Sequence, residues 1–293
     1  MASSQSWLPS CCFMVSSVLC FLQRSRFTSC NTISICYTKP MQITVFTEGK
    51  SPPKNEDFYG NTDTTFVVCD GSTSKNDILY GNQTGGGLAA RLLVDTALGS
   101  SANGNELVEL LTTSLRQKRE ELGAVTNEHE FGAVMACARI AGDKLIVTQV
   151  GDVAFRINAR DEYSNPPLIG TLMAQLRAQY IKATGDIPGG RDYIMPLLTT
   201  EYKYRNNPDS LAGYGEINGT PVPQKLIRVF EFELSAVSTL ELYTDGYYVV
   251  PQEPTAEAFE ALHTQVEQED PDKCLRYVST KSKDDRTVMI VTF

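Results

Sequence analysis

The feature of this sequence that most constrains its fold is a series of acidic residues placed at the ends of apolar, β-rich runs that are far apart in the chain. Asp70, for example, directly follows the run 65–69, and Asp245 follows a second run that ends at Thr244. A carboxylate at the end of a strand is held on a rigid element, and several carboxylates together would repel one another without a bound cation. The pattern therefore predicts an all-oxygen site for hard divalent metal ions. The members of the series are Glu56, Asp57, Asp70, Asp152, Asp245, Asp284 and Asp285.

The length and charge of the chain limit what it can do. Its 293 residues, 42% of them apolar, are enough for a large core, and we predict one domain over residues 41–293. The formal net charge of -9 argues against a broad surface that binds nucleic-acid phosphates without sequence preference. The two histidines, His129 and His263, are both expected at the surface, which leaves little for a Ser/His or Cys/His hydrolase. We expect a monomer with no nucleic-acid partner.

Residues 1–40 differ in composition from the rest and are interpreted as a leader or an N-terminal extension. They are rich in Ser, Thr and Cys, and no acidic residue precedes Glu48. The apolar run 11–22 is shorter than the ~20 residues that span a bilayer, so no membrane span is predicted. Three interpretations stay open: a transit peptide, a secretory signal, or translation that begins at Met41. A transit peptide would direct the protein to an organelle, whereas a start at Met41 would leave it in the cytoplasm.

The remaining residues alternate between β-rich runs and amphipathic helical segments. Strands are predicted at 65–69, 133–140, 144–150, 154–157, 226–234, 240–244 and 287–293, and helices at 87–98, 106–122, 168–183 and 256–267. The turn 141–143 indicates an antiparallel hairpin. The Gly-, Pro- and Asn-containing stretch 185–223 is predicted to be a loop-rich surface insertion. Helices inserted between hairpins favour an α+β fold of antiparallel sheets flanked by helices.

Taken in order, the acidic motifs resemble those of the metal-dependent protein Ser/Thr phosphatases of type 2C. The similarity runs from about Met41 to residue 293. It rests on Asn55-Glu56-Asp57, Asp70-Gly71 after an apolar strand, Gly86-Gly87 before an Ala-rich helix, Gly151-Asp152, Asp245-Gly246 and Asp284-Asp285. The resemblance implies a four-layer fold with a central β-sandwich of two antiparallel sheets flanked by helices. It also implies hydrolysis of phosphoserine or phosphothreonine in a phosphorylated protein substrate.

The same resemblance gives roles to individual residues. Asp70 would bridge two Mg²⁺ or Mn²⁺ ions, and the carbonyl oxygen of Gly71 would bind one of them. Asp245 and Asp284 would complete the first ion, so that these two residues and Asp70 form the catalytic set. Two such cations bind the phosphate, lower the pKa of a bridging water and place the resulting hydroxide in line with the phosphorus.

Three further acidic residues complete the implied metal ligands. Glu56 and Asp57 would hold the second ion, directly or through water. Asp152 matches the position that can bind a weaker third metal ion.

The sequence also departs from the family pattern. Pro52 stands where the family usually has an Arg that grips the substrate phosphate, and nearby Lys50 and Lys54 could supply only a point charge. The segment 72–75 lacks the His that often follows the Asp-Gly motif. A catalytically weak, phosphatase-like binding or regulatory domain therefore stays open as an alternative. A phosphoesterase acting on a small molecule also stays open, because the insertion 185–223 would shape substrate choice.

Overall fold

The computed structural model describes residues 41–51, 54–75, 78–126 and 130–293. The predicted leader, Pro52 and His129 lie outside the described residues. The strands are β1 (Gln42–Glu48), β2 (Phe58–Asn61), β3 (Thr65–Gly71), β4 (Leu79–Tyr80), β5 (Gln83–Thr84), β6 (Ala133–Ala141), β7 (Lys144–Val150), β8 (Ala154–Ile157), β9 (Asp161–Tyr163), β10 (Ile227–Glu233), β11 (Thr239–Tyr243) and β12 (Arg286–Thr292). The helices are α1 (Gly85–Leu98), α2 (Gly104–Glu121), α3 (Leu168–Thr184), α4 (Ile187–Leu198) and α5 (Ala256–Glu269).

Two five-stranded antiparallel sheets form the centre of the domain. The first sheet has the order β1-β12-β11-β8-β9, and the second has the order β10-β7-β6-β3-β2. The predicted hairpin consists of β6 and β7, which pair from Met135 with Val150 to Ala141 with Lys144. Gly142 in its turn has a φ of 65°, a left-handed conformation that glycine adopts without a steric penalty.

Strand β3 shows why the sequence folds into stacked layers. Its side chains point alternately to opposite faces of the second sheet. Phe66 and Val68 face the first sheet and join the core between the two sheets, whereas Val67 and Cys69 face helices α1 and α2. Because both faces are buried, the strand is a continuous apolar run rather than an alternation of polar and apolar residues.

Helices cover the outer faces of the sheet pair. On the second sheet, α1 and α2 bury Ala90, Leu93 and Leu111 with β3. On the first sheet, α5 packs Phe259 against a cluster that includes Val288 of β12. The order of layers is therefore helices, sheet, sheet and helix, which confirms the predicted α+β fold with a central β-sandwich. Among the described residues, no helix combines the length and the apolar character needed to cross a membrane.

The stretch predicted to be loop-rich contains the regular helix α4. Pro188 lies in its first turn, where the missing N–H has no helical partner to lose. Gly190 allows α4 to pack closely against α3, since a Cβ atom there would lie 2.5 Å from Cγ1 of Ile181. Pro188 and Gly190, which suggested a loop, thus lie at the start of a helix and at a contact between two helices. Residues 201–204 form a short 3-10 turn after α4.

Candidate active site

The structure brings part of the predicted ligand set to one cavity at the end of the sandwich. Asp70 and Gly71 end β3, whereas Asp152 follows β7 and Asp245 follows β11. These four residues line one cavity of about 170 Å³. The remaining predicted ligands are Glu56 and Asp57, which precede β2 and are buried, and Asp284, which precedes β12.

Asp57 connects the two sheets through a hydrogen-bonded threonine. The hydroxyl of Thr244, just after β11, donates to Oδ2 of Asp57 over 2.8 Å. The same hydroxyl accepts from the backbone N–H of Thr287 in β12 over 2.9 Å. Within the described part of the chain, Oδ1 of Asp57 is buried and has no hydrogen-bond partner. A buried oxygen without a donor is costly unless a cation or a water satisfies it.

The charges of neighbouring carboxylates act strongly on Asp70. Burial raises the pKa of Asp70 well above its ordinary value, and the charges of Asp57, Asp245 and Asp284 raise it further. The backbone N–H of Gly71 donates to the carbonyl oxygen of Glu56 over 3.1 Å, which holds the segment before β2 against the end of β3.

Asp152 and Asp284 belong to the same mutually repelling group. Burial raises the pKa of Asp152 to about 7, and the charge of Asp245 adds to this rise. Burial also raises the pKa of Asp284 to about 6, although the adjacent ammonium group of Lys281 opposes the increase. Each of these carboxyls is therefore harder to ionise than in water, and a divalent cation bound nearby would oppose this rise in pKa.

Two lysines neutralise part of this charge. The Nζ atom of Lys281 lies 2.6 Å from Oδ1 of Asp284 and donates to the hydroxyl of Thr73 over 3.2 Å. Lys50 contacts Asp285 over 3.0 Å and also pairs with Glu56. Lys50 was predicted to lie near the site, whereas Lys281 had no predicted role.

Two arginines also line the cavity. Arg205 is paired with Glu216 over 3.0 Å and with Glu130. Arg191, on α4, donates from Nη1 to the carbonyl oxygen of Thr280 over 2.7 Å. Both arginines line the cavity together with Asp70 and Asp152.

Comparison with known proteins identifies the fold. No protein-family model matches the chain, and no curated protein sequence matches it. A crystal structure of a bacterial serine phosphatase is similar, with a TM-score of 0.50 and 18% sequence identity over 86% of this chain and 97% of that chain. The chain has the fold of the type 2C phosphatases.

Two further solved structures are similar at lower TM-scores. The serine/threonine phosphatase Stp1 from Staphylococcus aureus matches with a TM-score of 0.49 at 18% identity, over 87% of this chain and 96% of that chain. The serine/threonine phosphatase PstP/Ppp of Mycobacterium tuberculosis matches with a TM-score of 0.48 at 15% identity, over 86% of this chain and 98% of that chain.

The donor types in this type 2C fold are those that a hard divalent cation prefers, but the described side chains are not arranged around one ion position. The donor side chains are carboxylates, and the buried Oδ1 of Asp57 lacks a donor among the described residues. In the same part of the chain, no three His, Cys, Asp or Glu side chains are arranged so that they could hold one ion. Glu56 and Asp284 instead contact Lys50 and Lys281. Binding a shared ion would therefore require these carboxylates to exchange lysine contacts for metal contacts.

Sequence reasoning missed the basic residues of the cavity. Arg191 lies in the stretch interpreted as loop-rich, and Lys281 lies in the loop before the last strand. The spacing of Lys281, three residues before Asp284, was the one available signal that the two might pair. No pattern in the sequence connects Arg191 with the acidic residues, because α4 reaches the cavity only through its packing on α3.

Proposed function

We propose that this chain is a metal-dependent phosphomonoester hydrolase that acts on phosphoserine or phosphothreonine in proteins. The observation that carries the proposal is the convergence, in a type 2C fold, of Asp70, Asp152 and Asp245 on one cavity, with Asp57 and Asp284 close enough to act on the pKa of Asp70. We infer that the phosphorylated side chain of the substrate binds in this cavity.

In the proposed mechanism, Asp70, Asp245 and Asp284 would hold one Mg²⁺ or Mn²⁺ ion, and Asp70 would also contribute to holding a second. Glu56 and Asp57 would hold the second ion, and Asp152 a weaker third. When bound, such ions supply a low-pKa water as the nucleophile and balance the charge of the phosphate. Thr244 keeps the Asp57 carboxylate in place through its hydroxyl group.

A catalytically weak binding domain is the second candidate. It is favoured by the two lysines, because Lys281 forms an ion pair with Asp284 and Lys50 forms ion pairs with Glu56 and Asp285. If these ion pairs hold firmly, the carboxylates are not free to take up metal ions, and the domain could still bind a phosphorylated partner.

The test is phosphate release from an aryl phosphate and from a phosphothreonine peptide, with Mn²⁺, with Mg²⁺ and with a chelator. Asp245→Asn is the test variant. Asp143→Asn is the matched control, because Asp143 is exposed in the β6–β7 turn, at the opposite end of β7 from Asp152. Metal-dependent turnover that is lost only in Asp245→Asn would support the proposal.

Other outcomes separate the alternatives. Calorimetric binding of a phosphothreonine peptide without turnover would favour the binding domain. Turnover of the aryl phosphate without turnover of phosphopeptides would favour a small-molecule phosphoesterase. If the protein showed no turnover and no metal binding, the proposal would be overturned.

A further inference from the structure

Arg191 is held at the cavity by a rigid pair of helices. Gly190 lets α4 pack closely on α3, and Arg177 of α3 is almost completely buried beneath it. The guanidinium of Arg177 donates to the carbonyl oxygens of Lys273 and Ser279 over 3.0 and 3.1 Å. These bonds fix the helix pair to the loop that precedes β12, which gives Arg191 a defined position.

The guanidinium of Arg191 has donors to spare. Its one hydrogen bond within the described part of the chain runs from Nη1 to the carbonyl oxygen of Thr280. No carboxylate of a described residue lies within the 4.0 Å of an ion pair with it. By contrast, Arg205 is paired twice and Lys281 is paired with Asp284.

Arg191 nevertheless faces the acidic cluster. Burial lowers the pKa of Arg191, and the charge of Asp284 is the strongest charge that opposes this decrease. A guanidinium stays protonated despite such a change. The cavity therefore combines a cationic fork with carboxylate oxygens, the ligand type that hard metal ions prefer. An anion bound there would contact positive charge from Arg191 and, once metal ions are bound, from the ions as well.

We propose that Arg191 binds the phosphoryl group of the substrate. This inference rests on the proposed function, because it assumes that a phosphate monoester enters the cavity. The free Nε and Nη2 groups can donate to two phosphate oxygens at once, a geometry that a lysine cannot provide. Lys75 lines the same cavity without an ion pair to a described residue, but it can add only a point charge.

The experiment compares Arg191→Gln and Arg191→Lys with the unaltered protein. The control is Arg228→Gln. Among the described residues, the guanidinium of Arg228 also makes one hydrogen bond to a carbonyl oxygen, that of Ser164, but Arg228 does not line the cavity. Binding of inorganic phosphate to the Mn²⁺-loaded protein is measured by calorimetry, and KM and kcat are measured with a phosphothreonine peptide. Mn²⁺ binding without phosphate is measured separately.

We expect Arg191→Gln to weaken phosphate binding and raise KM by about 10- to 100-fold, the value of a charged hydrogen-bonded contact. Arg191→Lys should recover part of the loss, and kcat and Mn²⁺ affinity should change little. Unchanged phosphate affinity in Arg191→Gln would overturn the inference. Mn²⁺ affinity that falls in parallel with phosphate affinity would also overturn it, because Arg191 would then act only by positioning the loop at Thr280.

The phosphate measurement separates this inference from the proposed function. If the unaltered protein binds phosphate through Arg191 but hydrolyses neither substrate, the hydrolase proposal fails and the phosphate-binding role of Arg191 stands. If the protein hydrolyses phosphopeptides with equal KM in all variants, the proposed function stands and the role of Arg191 is refuted.

Discussion

Asp152→Asn should stabilise the metal-free protein. The folded state raises the pKa of this carboxyl from 3.8 to about 7, through burial and through the charge of Asp245. A rise of about three pKa units corresponds to about 4 kcal/mol of destabilisation when the group is ionised. Because Asp152 lies at the wall of a cavity and is only half-buried, solvent screens part of this energy, and we expect a gain of about 2 kcal/mol.

The sign of the effect fixes its pH dependence. The folded state binds the proton more tightly than the unfolded state, so stability falls as pH rises between 3.8 and about 7. The destabilisation is absent below this window and complete above it. The free energy of unfolding of Asp152→Asn should therefore exceed that of the unaltered protein most at pH 8 and much less at pH 5.

Chemical denaturation with a chelator present measures the effect at both pH values. Asp143→Asn, in the exposed β6–β7 turn, is the matched control and should not change the free energy of unfolding by more than about 0.5 kcal/mol. Excess Mn²⁺ should reduce the difference between Asp152→Asn and the unaltered protein, because a bound cation relieves the repulsion. An equal free energy of unfolding for both proteins at pH 8, or an equal gain at pH 5 and pH 8, would refute the reasoning.

Two further substitutions test the contacts that assemble the site. Thr244→Val removes the hydroxyl between Asp57 and the N–H of Thr287, and it should lower the free energy of unfolding by about 1 to 3 kcal/mol. Thr244→Ser keeps the hydroxyl and should retain most of this stability. Similar losses in denaturant titrations of both variants would contradict this. Gly71→Ala would place a Cβ atom 2.4 Å from the carbonyl carbon of Gly86, so that α1 must move away from β3 at a cost of about 1 to 3 kcal/mol. An unchanged thermal midpoint would show that this approach is less tight than described.

Much of the fold could be predicted because local patterns and tertiary structure agree. The run 65–69 is apolar and β-branched because β3 is buried on both faces, and its predicted position matches the observed strand Thr65–Gly71. Asp70 ends that strand as expected, and it lies in the same cavity as Asp152 and Asp245. Helix α4 was not predicted, because Pro188 and Gly190 carry the local signal of a loop while their effect depends on the contact with α3.

The basic side of the site could not be predicted for a different reason. Lysine and arginine occur throughout the chain, and a single sequence does not distinguish a solvated residue from one inserted into a cavity. Lys281 reaches Asp284 and Thr73 only because the loop before β12 folds back toward the end of β3. Lys50 meets Asp285 across 235 positions of sequence.

The pairing of β1 with β12 has a consequence for folding kinetics. β12 lies between β1 and β11, and the contact of Thr47 with Thr287 joins residues 240 positions apart. Contacts of such long sequence separation require large loops to close first and are associated with slow folding. Until β1 docks, the long apolar strand β12 presents an unpaired edge that can recruit other chains. A folding intermediate with β1 undocked would therefore be prone to aggregation and would lack the Lys50 contacts to Glu56 and Asp285. Refolding at low protein concentration should accordingly give a higher yield of the native domain than refolding at high protein concentration.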